Sequence, residues 1–295
     1  MLSGNQINQF ERNGFLNAGV VLENDEIDDL CNELKAVLAR GPEGFGHGQA
    51  KPVLFHNMIS GEHSQTERAV YQIVNIWEVA PAFERLLYHP FIVKAIHQLT
   101  SFGSIQIWHD QIQYKPPQSG GATAWHQDAP YWPSIEPMTP VSAWVALDNV
   151  DELNGCMWMV PGSHRWGNQV EYLHEQKHLQ HADHFCEIAN FTPPPDQPIQ
   201  QVDAVSCPVK RGEVHFHHSL TWHGSPENAS SRTRRAIAIH YMSSEARFTG
   251  REHVMKQFIK VDVGQTMLEA GNHFPIVFQD GQAVEAPRTP TFAQG

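Results

Sequence analysis

No stretch of this 295-residue chain comes near the roughly 18 uninterrupted apolar residues that a membrane span requires. A soluble protein with no membrane partner is expected. Basic side chains are scarce, with 20 Lys and Arg against 32 Asp and Glu and a formal net charge of -12. Binding through phosphates depends on clustered cations that release counterions, so nucleic acid is excluded as the expected partner. Cysteine is sparse too: Cys31, Cys156, Cys186 and Cys207 are widely scattered and read as reduced thiols, not as a disulfide framework. The opening residues, MLSGNQINQFERNGF, lack the basic region and apolar run of a secretory signal, which predicts a cytoplasmic protein. Repeats, low-complexity tracts and interdomain linkers are lacking as well. A single domain over residues 1–295 is expected, because barrels and sandwiches of this length fold around one core.

Histidine, by contrast, is abundant. There are 19, several of them crowded into 174–184 and 215–223, which directs attention to metal chemistry. The first 103 residues read as a mostly helical layer. Asn24 is a candidate cap for a helix in which Ile27, Leu30, Cys31, Leu34, Val37 and Leu38 recur at helical spacing. A second helical region over 79–100 is broken at His89-Pro90. From 104 to 280 the chain turns to short β-rich runs separated by Pro, Gly and Asn, including SIQIWHDQIQY, PVSAWVALDNV, CMWMVP, GEVHFHH and RRAIAIHYM. Mainly β structure with flanking helices, arranged as a jelly-roll-like barrel, is the predicted fold. Residues 281–295 are expected to be an irregular tail.

His126 and Asp128, two apart in AWHQDAPYW, project to one face if they lie on an extended strand, where they share one ion. His223, in LTWHGS, is the candidate third ligand. Two imidazoles and a carboxylate on one face of an octahedral ion leave positions open, which suits iron(II) in enzymes that use O2. A His-x-Asp triplet is weak evidence alone: roughly one is expected by chance at ordinary Asp frequency, and His181-Ala182-Asp183 is a second copy, in a polar stretch that reads as a solvated loop. His174 to His178 also fits the H-E-x-x-H pattern of zinc proteases. That segment is polar all round and lacks the extension that carries the third zinc ligand. Among the remaining histidines, His215, His217, His218 and His240 are rivals to His223 or groups that surround it.

Six blocks, YKPPQSG, WHQDAPYW, SAWVALD, NGCMWMVPGSH, HHSLTWHGS and NASSRTRRAIAIHYM, occur in order between about 104 and 242. In that run the chain resembles the phytanoyl-CoA dioxygenase family, which belongs to the iron(II)/2-oxoglutarate superfamily built on a double-stranded β-helix of cupin-like, jelly-roll form. The resemblance implies Fe(II) held by His126, Asp128 and His223, with 2-oxoglutarate and O2 as co-substrates. It further implies that Arg234, eleven positions beyond the distal His, grips the far carboxylate of 2-oxoglutarate. Arg235 is the competitor, and strand alternation separates the two, since Arg234 shares a face with Ala236 and Ala238 while Arg235 shares one with Ile237, Ile239 and Tyr241. Ser225, Trp144 and Gln111 match family positions that face the same co-substrate. Tyr131, Trp132, Trp125, Trp158, Trp222 and Phe216 either wall a substrate cavity or pack the barrel.

The family chemistry is hydroxylation, or a related oxidation, of a small organic substrate with release of succinate and CO2. Halogenating relatives lack the carboxylate that Asp128 supplies here, so chlorination is disfavoured. Family substrates include acyl-CoA thioesters, ectoine and secondary metabolites, and neither the compound nor an oligomeric state is legible in the sequence. A zinc metalloprotease using 174–178 and a non-catalytic β-barrel that binds a small ligand are the alternative readings.

Overall fold

The computed structural model describes residues 1–57, 70–175, 194–197 and 203–292. His178, His181, Asp183 and Cys186 lie outside them. The described Cys31, Cys156 and Cys207 are free thiols.

Helix α1 (Gly4–Asn13) opens on a capping box, in which the Ser3 hydroxyl accepts from the Gln6 N–H and the Gln6 side chain accepts from the Ser3 N–H. It stops at Gly14, whose φ of 82° places it in the left-handed region. A Cβ there would stand 2.4 Å from His164 Nδ1 and 2.6 Å from Thr221 Oγ1, so both the turn and the close approach require glycine. Strand β1 (Phe15–Val20) follows, then helix α2 (Asn24–Arg40). Asn24 is not the cap but the first helical residue: the cap lies one position earlier, at Glu23, because Glu26 is three positions on and accepts from the Glu23 N–H. Strands β2 (Leu54–Asn57) and β3 (Tyr71–Val74) precede helices α3 (Pro81–Leu87) and α4 (Pro90–Thr100), which part at His89-Pro90 as expected.

Then come β4 (Ile105–Lys115), β5 (Thr123–His126), β6 (Ile135–Glu136), β7 (Val141–Ala146), β8 (Met157–Met159), α5 (Val170–Glu175), β9 (Val205–Cys207) and β10 (Glu213–His218). The series ends with β11 (His223–Ser225), β12 (Arg234–Ser243), β13 (Arg247–Phe248), β14 (Ile276–Gln279) and β15 (Gln282–Ala283). The main sheet runs β1-β10-β7-β12-β4-β14-β15, with β3 on β4 and β2 on β3; a smaller sheet runs β5-β11-β8-β9, and β13 pairs with β6. Residues 1–103 thus contribute three strands to the main sheet besides their helices, and β15 gives the tail a short strand before it becomes irregular.

The main sheet has two unlike faces. Ile112, Val145, Val214, Phe216, Ile237, Ile239 and Tyr241 pack with Leu30, Leu34, Phe83, Ile92 and Ile96 of the helices in one large core. On the other face Trp144, Ala146, Ala236 and Ala238 meet Met157, Met159 and Cys207 of the smaller sheet, with Cys156 just before it. Alternation along each strand separates the two sets. The fold is a curled, mainly β half-barrel with helices covering one side, and the small residues on its inner face leave room between the sheets.

Candidate metal centre

Strands β5 and β11 pair antiparallel with His126 opposite His223, so two strand ends from distant sequence deliver two imidazoles side by side, their centroids 4.1 Å apart. Asp128 is not on the strand as the sequence suggested. Strand β5 ends at His126, and Asp128 turns into the αR region at the head of a single 3-10 turn, Ala129–Tyr131, that contains Pro130. The N–H groups of Asp128 and Ala129 both donate to Ser219 O, at 2.8 and 3.1 Å, and this fixes the turn. One ligand atom from each of His126, Asp128 and His223 lies within 4.8 Å of the others.

The tautomers show what this cluster fits. His126 Nδ1 lies 2.8 Å from Ala124 O and His223 Nδ1 2.9 Å from Thr221 O, and a carbonyl only accepts. Both Nδ1 atoms therefore carry the proton, and both Nε2 lone pairs are left pointing inward. They face Asp128 Oδ1 at 3.4 and 3.5 Å. Lone pairs opposed to a carboxylate with no proton between them call for a cation, and two neutral imidazoles with one carboxylate suit iron(II) with open positions. The other carboxylate oxygen, Asp128 Oδ2, accepts from His217 Nε2 at 3.1 Å. Burial alone would raise the Asp128 pKa, but the imidazoles of His223, His126 and His217 packed around the carboxylate together hold it well below the usual range.

His217 thus belongs to the surroundings of the ligand set, while His240 bonds Ser142 Oγ through Nδ1 at 2.7 Å. His215 is buried, stacks on Phe15, and has its pKa pushed down to about 3 by burial. Gln127 escaped sequence reasoning. It is buried on the opposite side of the His-x-Asp run, donating to Leu220 O at 2.7 Å and Gly167 O at 2.9 Å and accepting from Gln169 N–H at 2.7 Å. The signal was its place between two inward-facing residues.

Beside the metal cluster lies a small recess to which Trp144, Ser225, Arg234 and Gln113 all contribute. Arg234 is 1% exposed, its guanidinium carbon 5.0 Å from the Trp144 ring centroid, and it donates to the Gln113 backbone carbonyl at 3.5 Å. No carboxylate pairs with it among the described residues. Burial lowers its pKa to about 10, so it is still a cation at neutral pH. A buried guanidinium without a counter-ion is costly unless an anion comes to it, and its fork matches a carboxylate. Arg235, on the other face of β12, is occupied by both oxygens of Asp148, at 2.9 and 2.7 Å.

Lys115 was read only as the end of a strand, and it proves central. It has no exposed surface, and its ammonium donates to Ser225 Oγ at 2.5 Å, Pro226 O at 2.6 Å and Ser225 O at 3.3 Å. Asn228 Nδ2 donates to the Lys115 and Pro116 carbonyls, and a Cβ on Gly155 would meet Pro226 O at 2.8 Å. The Lys-Pro-Pro, Asn-Gly and Gly-Ser-Pro segments therefore converge behind Ser225.

A larger cavity of about 500 Å3 opens next to the metal cluster. Gln111 stands on this cavity's wall, while its neighbour Gln113 reaches both spaces and accepts from Trp144 Nε1 at 3.0 Å. Of the aromatic candidates, Trp125, Tyr131 and Trp132 line the cavity. Phe216 belongs to the helix-facing core, Trp222 to a separate cluster with Val160 and Leu173, and Trp158 packs at the edge of the small-sheet core. In the H-E-x-x-H run, His174 Nε2 is hydrogen-bonded to the Tyr131 hydroxyl at 2.8 Å. No helix among the described residues is long and apolar enough to cross a membrane.

Comparison with known proteins agrees with this geometry. The model of the family described as phytanoyl-CoA dioxygenase (PhyH) matches residues 10–236. The peroxisomal phytanoyl-CoA dioxygenase of Rattus norvegicus is 26% identical, over 88% of this chain and 76% of that protein. Among solved structures, the non-heme alpha ketoglutarate dependent carbocyclase SnoK from nogalamycin biosynthesis has a similar fold, with a TM-score of 0.70 at 24% identity, over 93% of this chain and 96% of that one. The epimerase SnoN, solved in complex with Fe3+, alpha ketoglutarate and nogalamycin RO, gives a TM-score of 0.69 at 19% identity over 92% and 97%.

Proposed function

The chain belongs to the phytanoyl-CoA dioxygenase family of non-haem iron, 2-oxoglutarate-dependent enzymes, and from that premise we propose that it hydroxylates a small organic molecule with release of succinate and CO2. The observation that carries this reading is a buried, unpaired Arg234 beside two imidazole lone pairs turned toward one carboxylate. One group calls for an organic anion and the other for a cation, and a metal-bound keto acid answers both. When bound, iron(II) and 2-oxoglutarate supply the activation of O2, one oxygen atom passing to the substrate as hydroxyl and the other to succinate.

The chain's own residues prepare that chemistry. His126, Asp128 and His223 hold the metal, and the backbone carbonyls of Ala124 and Thr221 lock the imidazoles in the ligating tautomer. His217 holds Asp128 Oδ2, leaving Oδ1 toward the ion. Arg234 receives the far carboxylate of 2-oxoglutarate with Ser225 beside it, and Trp144 closes that side. Gln111 stands further out, where it faces the organic substrate as well. The presence of Asp128 favours transfer of hydroxyl over halide. The free thiols support a reducing compartment such as the cytoplasm.

The test is direct. Protein stripped of metal by a chelator is expected to convert no 2-oxoglutarate, and added iron(II) is expected to restore succinate formation. His126→Ala, Asp128→Ala and His223→Ala should each fall to the metal-free background while keeping the circular dichroism of the parent. Full turnover in any one of them would remove that residue from the metal site.

A further inference from the structure

The walls of the larger cavity carry information about what it accepts. Strands β3 and β4 pair with Gln72 opposite Gln113 and Val74 opposite Gln111, so the three glutamines line one face of the strand pair and all border the cavity. The Gln113 side-chain oxygen Oε1 accepts from Trp144, which leaves the side-chain N–H groups to a ligand. Neither the Gln72 nor the Gln111 side chain is hydrogen-bonded to another described residue. Tyr131 and Trp132 contribute aromatic surface to the same cavity.

Deeper in, His109 is buried, with Nδ1 3.3 Å from Asp110 O and no partner for Nε2. A carbonyl partner at Nδ1 makes that atom the donor, so Nε2 presents a lone pair. A buried acceptor left unmatched is expensive, and a ligand hydroxyl or N–H would satisfy it.

The described wall provides no spare charge. Asp128 belongs to the metal and Arg234 to the co-substrate. Burial holds His240 down to about 3 and His253 to about 4, and both are neutral at physiological pH. Among the described residues of this wall, a phosphate or carboxylate finds no free cation and an ammonium no free acid. Amide dipoles serve hydroxyl and carbonyl groups instead, and aromatic faces favour flat rings.

We propose that the substrate is an uncharged ring system bearing hydroxyl or carbonyl groups along one edge. The rings lie against Tyr131 and Trp132, the oxygenated edge faces the glutamines, and one hydroxyl donates to His109 Nε2. This rests on the reading of the metal centre given above.

The experiment uses the iron-loaded protein with 2-oxoglutarate, first without oxygen to measure binding by tryptophan fluorescence, then with oxygen to measure succinate. The probes are naringenin and estradiol as neutral hydroxylated rings, with palmitoyl-CoA and glycine betaine as charged competitors. At least one ring compound is expected to bind and to raise succinate release above the substrate-free rate, and the charged probes are not. His109→Phe should weaken ring binding about tenfold by removing the acceptor while keeping the shape, with 2-oxoglutarate binding unchanged. Gln72→Leu, at a partly exposed position, should also weaken it and serves if the first variant does not fold. Stronger stimulation by palmitoyl-CoA or betaine, absence of binding by both ring compounds, or ring binding indifferent to both variants would overturn the proposal. Failure of 2-oxoglutarate itself to bind the iron-loaded parent would instead overturn the metal-centre reading, and this proposal with it.

Discussion

Lys115 shows how much of the site rests on a side chain that touches neither metal nor recess. Its ammonium donates to Ser225 Oγ, so the hydrogen of that hydroxyl is left to donate elsewhere, and Ser225 lines the recess beside Arg234. Burial, and the neighbouring Arg234, push the Lys115 pKa well below its ordinary value, so an arriving anion stabilises both cations. Lys115→Met is expected to raise the half-saturating concentration of 2-oxoglutarate about 10- to 100-fold, the range seen when groups behind a ligand are removed, with less effect on turnover at saturation. Ser225→Ala should do the same, and the double variant should be no worse than either single one, because one residue acts through the other. Additive losses, read from 2-oxoglutarate titrations, would separate the two. None of this was legible in the sequence, where Lys-Pro-Pro reads as a turn and a buried lysine is the exception for its type. Residues whose role is chemical, such as His126 and His223, were legible because few other side chains do their work.

At the scale of elements, the junction of α1 and β1 governs the distal ligand more than its distance in sequence suggests. The Gly14 carbonyl accepts from the His218 N–H at 2.7 Å and from Thr221 Oγ1 at 3.0 Å, and Thr221 O in turn fixes the His223 tautomer. Gly14→Ala places a side chain at positive φ against Thr221 and His164, at a cost of roughly 1–3 kcal/mol. The expected outcome is a melting temperature lower by a few degrees together with weaker iron binding in a metal titration. An unchanged melting curve would mean that the junction yields freely. Strand alternation was the most legible element-level signal: Arg234, Ala236 and Ala238 fell on the inner face, and Ile237 and Ile239 fell on the helix side. The strands β1, β2 and β3 were missed because each is short and takes its stability from pairing with a neighbour that no local window contains. The turn at Asp128 was missed for a related reason, since its two hydrogen bonds go to Ser219, 91 positions away by numbering (219 less 128).

The whole molecule carries an electrostatic imbalance out of keeping with its acidic composition. With a net charge of -12 it still buries Lys115 and Arg234 next to one another, with only carbonyl and hydroxyl oxygens as their hydrogen-bond acceptors among the described residues. Such a site gains stability from its ligand. In oxygen-free, iron-loaded protein, 2-oxoglutarate at about 100 times its dissociation constant should add about 2.7 kcal/mol, seen as a rise of several degrees in melting temperature. Arg234→Met should abolish that rise, and without ligand the variant should melt no lower than the parent, since an apolar side chain replaces an unpaired buried charge. A lower melting point without ligand would show that the guanidinium is compensated in the free protein. The two spaces beside the metal also share walls, with Gln113, Thr123, His126, Asp128, Arg234 and His240 bordering both. Whatever fills the larger one stands over the smaller. On the proposed function, that overlap sets the expected order of entry: the keto acid first, the organic molecule second, with spent acid leaving after the organic product has moved aside. An excess of the organic molecule is then expected to slow its own conversion, by sealing in the acid that must leave before the next cycle.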